Sequence, residues 1–153
     1  MPRLWQPRET RLLSEWVASN YPEDRVIYRV RLGAYPDWAK TAISKGAPAD
    51  IYKIYQRWAD AIVIRDREII IIEAKIKPDP GVISQILLYK KLLPKTPEFF
   101  EFKERPIHLI ILMAVRDPEV EDMARDQGIE IAVYTPDWVI QYLREIKKYR
   151  ERY

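Results

Sequence analysis

The sequence predicts an α/β fold with a mixed central sheet flanked by helices. Three observations carry that expectation. Two apolar, β-branched runs, Ala59 to Arg65 and Glu68 to Ile76, are separated only by Asp66 and Arg67, which makes a tight hairpin. A third run, Ile107 to Val115, is apolar on both faces and lies between helical segments, as a strand covered from both sides would. Helix-opening signals, Asp79-Pro80, Asp117-Pro118-Glu119 and Thr135-Pro136-Asp137, alternate with the later strands.

In chain order, a helix is expected from about Pro7 to Ser19, with Pro7 in the first turn, where its missing N–H costs nothing. Arg25 to Leu32 alternates apolar and polar side chains and reads as a half-buried strand ended by Gly33. Ala34 to Arg57 stays open: Pro36-Asp37 can start a short helix closed by Gly46, and Ile51 to Tyr55 can be helix or strand. After the hairpin, a helix runs from Asp79-Pro80 to about Leu93, followed by a loop bearing prolines and phenylalanines. Ile107 to Val115 is next, then a helix stopped by Gly128, a short strand from Ile129 to Tyr134, and a last helix entering the basic tail. The 153 residues fit one domain spanning the chain.

Composition removes several chemistries. No cysteine is present, which excludes disulfides, thiolate zinc sites, iron–sulfur clusters and cysteine nucleophiles. His108 is the single histidine, so a histidine metal cluster is out, and its Ile- and Leu-rich strand predicts a core position for it. With four glycines, no G-x-G-x-x-G or phosphate-binding loop can be drawn. Net charge is +3, a mild tilt toward an anionic partner. No membrane span and no leader pattern are visible, which suggests a cytoplasmic protein. Low Asn, abundant Ile, Glu, Lys and Arg, and 12 prolines tilt toward a thermophilic source.

Chemistry concentrates in the hairpin. Ionisable side chains within apolar strands need compensation, because an unpaired buried charge is costly. Away from its turn, the hairpin has three: Asp60, Glu73 and Lys75. Glu73 and Lys75, two apart, share a face. If Arg65 sits opposite Glu68, the same register puts Asp60 across from Glu73. Two converging carboxylates suit a Mg²⁺ ion, and Lys75 would then orient an attacking water and offset phosphate charge. The structural alternative is a buried Lys-Glu pair at a sheet end. In the helix that follows, Gln85 and Tyr89 (i, i+4) project with Val82, Leu88 and Leu92, so a polar pair faces the sheet. In the first helix, Glu9 projects among Leu12, Leu13 and Trp16, whereas Glu15 falls toward solvent or the edge of that stripe.

Together these residues resemble the PD-(D/E)xK nuclease superfamily, whose restriction-endonuclease-like αβββαβ core the order from Pro7 to Val115 matches, with an α-β-α extension. Asp60 and Glu73-Ala74-Lys75 resemble the name-giving motif, Gln85-Ile86-Leu87-Leu88-Tyr89 the Q-x-x-x-Y motif of the RecB-like branch, and Glu9 a first-helix glutamate found in several members. Ala59 stands where the motif has proline, and Asp50 is the rival to Asp60. The resemblance implies a Mg²⁺- or Mn²⁺-dependent nuclease, with DNA the expected substrate. Asp60, Glu73 and Glu9 would be metal ligands, and Lys75, Gln85 and Tyr89 would complete the catalytic set. The alternative is a nuclease-like fold without catalysis, serving as a binding or structural module.

Between Ala34 and Trp58, aromatic side chains interleave with Lys40, Lys45, Lys53 and Arg57, a pattern that suits a nucleic-acid groove or, equally, aromatics packed on the sheet. Ile83 and Leu87 project on the Lys90 side of their helix, which predicts an exposed apolar pair and a homodimer.

Overall fold

The structure, a computed structural model, describes residues 7–55 and 57–152, with the side chains of 53–55 and 152 outside the description. Its helices are α1 (Pro7–Asn20), α2 (Asp37–Ser44), α3 (Gly81–Leu92), α4 (Pro118–Asp126) and α5 (Asp137–Arg152). Its strands are β1 (Arg25–Leu32), β2 (Arg57–Ile64), β3 (Ile69–Lys75), β4 (Ile107–Met113) and β5 (Glu130–Val133). They form one five-stranded mixed sheet in the order β1-β2-β3-β4-β5. The first three strands make an antiparallel meander, while β3, β4 and β5 run parallel, with α3 and α4 as their crossovers.

Sequence chemistry explains the central position of β3. Its run Ile69-Ile70-Ile71-Ile72-Glu73-Ala74 is buried throughout, so no face is left for water and both neighbours must be strands. One face joins Ile69, Ile71, Ile62, Leu109 and Ile111 to Val82, Ile86, Val120 and Ala124 of α3 and α4. The opposite face joins Ile70, Ile72, Ala74, Ala61 and Val63 to Leu12, Leu13 and Val17 of α1 and to Val139 of α5. The hairpin closes as the sequence predicts: Arg65 N–H donates to the Glu68 carbonyl at 3.0 Å, and Ile64 pairs with Ile69. Asp117 caps α4 by accepting from the Glu119 and Val120 amides at 3.1 and 3.2 Å, and Gly128, at φ 70°, turns the chain out of that helix.

The open segment resolves into α2 and a 3₁₀ stretch, Ala49–Tyr55, and the expected loop after α3 contains 3₁₀ turns at Leu93–Lys95 and Pro97–Phe102. Thr96 makes that loop part of the core. Its buried hydroxyl donates to the Leu92 carbonyl and accepts from Gly33 N–H, each at 2.8 Å, tying the end of β1 to the end of α3.

Two expectations are corrected. Ile83 is buried and Leu87 packs against the same core, which also holds Phe99 and Phe102, so the apolar pair behind the homodimer expectation is not a surface patch. Apolar side chains lie nearly all round α3, so the sequence does not mark its outer face, and it is Leu88 that is exposed. His108 is no core histidine: its ring is 41% exposed and its Nε2 lies 2.6 Å from Glu130 Oε2. Glu15, expected toward solvent or the edge of the α1 stripe, is half-buried and has partners the sequence does not indicate. Its Oε2 accepts from Tyr134 Oη at 2.8 Å and Trp138 Nε1 at 2.9 Å, and its Oε1 from Arg11 Nε at 3.0 Å. One carboxylate thus fastens α1 to the β5–α5 segment.

The hydrogen bond from Trp138, opposed in part by desolvation and assisted by Tyr134 and Arg11, holds the Glu15 carboxyl below the ordinary glutamate value of 4.5. A depressed pKa contributes stability that is present above the ordinary value and lost as pH falls through the folded one. Glu15→Ala is therefore expected to lower unfolding free energy by ~1–2 kcal/mol at neutral pH. Urea denaturation at pH 7 and below pH 4 checks this, since the difference from the unmodified protein should shrink in acid.

Candidate functional site

The candidate site lies where β2 begins and β3 ends. The observed register pairs Ala61 with Ile72, so the next pair toward the open end is Asp60 and Glu73, as the hairpin spacing predicts. Glu73 is 0% exposed, and with Lys75 it follows Ile69 and Ile71 on the face of β3 that α3 covers. Its Oε2 is buried and accepts no hydrogen bond, although the residue engages other groups.

A twist in the ladder sets Asp60 apart. Arg29 adopts φ 52°, a left-handed conformation that costs an L-residue ~1–2 kcal/mol. It falls opposite Asp60, between the pairs Tyr28–Ala61 and Val30–Ala59, and the register continues unbroken on either side. Side-chain alternation nevertheless reverses there. Ile27 and Ile62 face the α3 core, and beyond the reversal Val30, Leu32 and Ala59 face it too. The ladder rolls over at Arg29 and Asp60 without inserting a residue. Regular β2–β3 pairing stops just short of this point, and Asp60 Oδ2 accepts the Ala74 N–H at 2.9 Å. A side-chain carboxylate thereby engages the β3 backbone where β2 leaves it.

Above Glu73 and Lys75, α3 presents the expected polar pair. Gln85 Nε2 donates to Tyr89 Oη at 2.7 Å, one turn apart, and Tyr89 is buried. The helix starts with Asp79 Oδ1 accepting Gly81 N–H at 2.8 Å.

Glu9 is placed differently. It is half-buried in the first turn of α1, whose stripe of Leu12, Leu13 and Val17 packs on the face of Ala74 and Ile76, whereas Glu73 points to the other face. Among the described residues, no three acidic or histidine side chains lie close enough to share a metal ion, so Glu9 forms no triad with Asp60 and Glu73. Asp50, in the exposed 3₁₀ stretch, is not across from Glu73. What the ladder register sets at adjacent positions is two carboxylates, Asp60 and Glu73, the donor type and number that Mg²⁺ takes when waters and a phosphate fill its remaining positions.

No family model matches the sequence, and no curated protein matches it. Solved structures do. A repair endonuclease from Pyrococcus abyssi superposes with a TM-score of 0.52 at 15% identity, over 89% of this chain and 50% of that one. EndoMS, in a structure of its complex with dsDNA, superposes with a TM-score of 0.51 at 12% identity, over 88% of this chain and 47% of that one. The chain shares the fold of these two proteins over most of its length. It spans about half the length of these two endonucleases.

Around this core, the predicted cationic residues separate. Lys40 and Lys45 are exposed on and just after α2, with Lys40 Nζ at 4.0 Å from Asp37, and Arg57 is exposed at the start of β2. The Lys53 side chain lies outside the described residues. Trp38 is 58% exposed and meets Tyr52 edge-on at 5.7 Å between centroids. Two further charged features escaped sequence reasoning. Arg31 places its guanidinium 4.8 Å from the centre of the Trp58 ring, its cross-strand partner. Arg116 donates to the buried Glu121 through Nε and Nη2 at 3.2 and 2.8 Å, and that bond raises the Arg116 pKa. The sequence signal for the second pair is slight: an arginine just before a helix cap and a glutamate in its first turn.

Removing the Asp60 carboxylate leaves the Ala74 amide without its acceptor. Asp60→Ala is expected to lose ~1–2 kcal/mol of stability. Asp60→Asn keeps an acceptor oxygen and removes one of two neighbouring charges, so it should match or exceed the unmodified protein. Chemical denaturation of the two variants decides the point, and equal stabilities would show that this hydrogen bond contributes nothing.

Proposed function

We propose that this chain is a divalent-metal-dependent nuclease that hydrolyses phosphodiester bonds in DNA. The observation that carries the reading is the placement of Asp60 next to the fully buried Glu73 across the β2–β3 ladder, with Lys75 on Glu73's face. The fold shared with two endonucleases supports it. So do Gln85 and Tyr89, which lie on the helix covering that face.

Asp60 and Glu73 would hold a Mg²⁺ or Mn²⁺ ion, which supplies a Lewis acid for the scissile phosphate and neutralises its charge. The protein's part follows from the geometry. The Ala74 amide fixes one Asp60 oxygen, so the carboxylate is held in place before substrate arrives. Lys75, two residues beyond Glu73 on the same face, would orient the attacking water and offset charge on the pentavalent phosphorus centre. The Gln85–Tyr89 pair would position groups around the Glu73 carboxylate. Lys40, Lys45, Lys53 and Arg57 would contact phosphates away from the scissile bond, contributing salt-sensitive affinity. Glu9 would act only at a distance from the metal.

Cleavage of labelled linear, circular and branched DNA in Mg²⁺, Mn²⁺ or EDTA tests the reading. The unmodified protein should cut in either metal and not in EDTA, and Asp60→Asn and Glu73→Gln should each lose at least about a hundredfold in rate. Lys75→Ala should slow the chemical step while DNA affinity in EDTA stays within about twofold. Glu9→Gln should cost far less than either carboxylate variant. Absence of cleavage in every metal and substrate would overturn the nuclease reading.

A second readout needs no substrate. Mn²⁺ bound by the native site raises the melting temperature by mass action, and the rise should vanish in Asp60→Asn. A rise that persists in that variant would place metal binding elsewhere.

A further inference from the structure

The carboxyl ends of the parallel strands carry a charged pair that the proposed chemistry does not use. Past the regular pairs of the β3–β4 ladder, Ala114 N–H donates to the Lys75 carbonyl at 3.4 Å and Val115 N–H to the Ile76 carbonyl at 2.9 Å. Arg116 comes next, so its backbone leaves the sheet one strand over from Lys75, a step of about 4.8 Å between neighbouring strands. Its guanidinium donates to Glu121 Oε1 through Nε at 3.2 Å and Nη2 at 2.8 Å. Glu121 belongs to α4, whose Val120 and Ala124 pack with α3 on the face that Glu73 and Lys75 share. The arginine therefore stands at the same end of the sheet as the candidate site, and on the same side of it.

The two halves of the pair are unequally exposed. Glu121 is 5% exposed, while the Arg116 side chain is 69% exposed. An ion pair that served only to neutralise a buried acid would gain most from a fork on both carboxylate oxygens. Here both donors fall on Oε1, and Oε2 is buried without a hydrogen bond. Among the described residues, Arg116 Nη1 has no acceptor. Asp117, the next residue, turns its carboxylate to the amides that open α4. Glu121 thus anchors one edge of the guanidinium and leaves the rest of it available. An arginine held this way has lost rotamer freedom before a ligand arrives, so less binding free energy goes into ordering it.

We propose that Arg116 is a seat for a backbone phosphate of bound DNA, one flanking the scissile phosphate, and that Glu121 is the positioning residue that aims it. The proposal rests on the nuclease reading for its ligand. Lys75 addresses the scissile phosphate from β3, and Arg116 meets the same DNA one strand over. A planar fork matches two phosphate oxygens at once, which a compact ammonium cannot do. Because the pair carries no net charge, the seat supplies directed hydrogen bonds more than long-range attraction.

The test measures binding of the full chain to a labelled 5′-hydroxyl DNA duplex in EDTA by fluorescence anisotropy, with the melting temperature of each variant alongside. Arg116→Lys keeps the charge beside Glu121 but not the fork, and should weaken binding about fivefold with the melting temperature unchanged. Glu121→Leu separates two effects of opposite sign. It removes a negative charge, which alone would tighten binding, but it frees the guanidinium, and binding should weaken about fivefold. Glu121→Gln keeps an acceptor for the guanidinium and should stay within about twofold of the unmodified protein. Arg125→Ala, which breaks an arginine–acid pair in the last turn of the same helix, should also stay within about twofold. Should Glu121→Leu unfold, Arg116→Lys and Glu121→Gln carry the decision.

Duplex affinity unchanged or higher in Arg116→Lys would overturn the seat and leave the pair to the fold alone. Weaker binding in Arg116→Lys with tighter binding in Glu121→Leu would overturn the positioning role. In Mn²⁺, the loss in Arg116→Lys should appear in KM, with kcat within about threefold. A protein that cuts DNA equally well with Arg116→Lys rejects the seat alone. One whose duplex affinity depends on Arg116 but that never cuts rejects the nuclease reading alone, and one that binds no duplex rejects both.

Discussion

The hydrogen bond from the Ala74 amide to the Asp60 carboxylate is the contact on which the site depends. An amide inside a sheet must have an acceptor, and where β2 turns away from β3 a side-chain oxygen meets that need. The consequence runs in two directions. Ala74 continues β3 between Glu73 and Lys75, so its amide fixes the strand that carries both. Asp60 in turn is held at a distance set by main-chain hydrogen bonding rather than by a flexible side chain. The roll of β1 and β2 frees Asp60 from the ladder, and the left-handed Arg29 is the conformational cost of that roll.

The remaining architecture supports this corner. Four successive isoleucines lock β3 between two cores, so the strand end cannot shift to relieve a buried charge. Glu73 and Lys75 follow on the same rigid element. Helices α3 and α4 seal one face and α1 and α5 the other. Glu15 fastens α1 to α5, and Thr96 fastens β1 to α3, so each layer is tied across a boundary where apolar packing alone would permit sliding.

Much of this was legible in the residues. Every strand follows from its apolar run, and the hairpin register follows from two turn residues, because pairing in a ladder is rigid once one pair is set. The i, i+4 spacing of Gln85 and Tyr89 places them on one helix face, where the structure adds a hydrogen bond between them. What stayed hidden depends on tertiary geometry. Ile83 and Leu87 looked exposed because α3 is apolar nearly all round, and the 3₁₀ turns that cover it lay in a segment without periodicity. Glu15 found partners on a helix more than a hundred positions later, which no local pattern encodes. Glu9 was assigned to the site from a helical stripe. A stripe gives the angle around a helix axis, but it does not say which face of the sheet that helix covers. The roll at Asp60 was equally invisible, because Arg29 carries no sign of positive φ in its identity.

The same roll shapes how the molecule meets copies of itself. A flat edge strand presents a row of amides and carbonyls that another chain can extend. Here β1 is interrupted by a left-handed residue and studded with Arg25, Arg29 and Arg31, and at the far edge β5 is only four residues long. A neighbouring strand laid along β1 would have to roll over with it at Arg29 and would bring like charges together. The kink therefore also protects the chain from sheet-to-sheet polymerisation, at the edge where an uninterrupted run of Val, Ile and Tyr would most invite it.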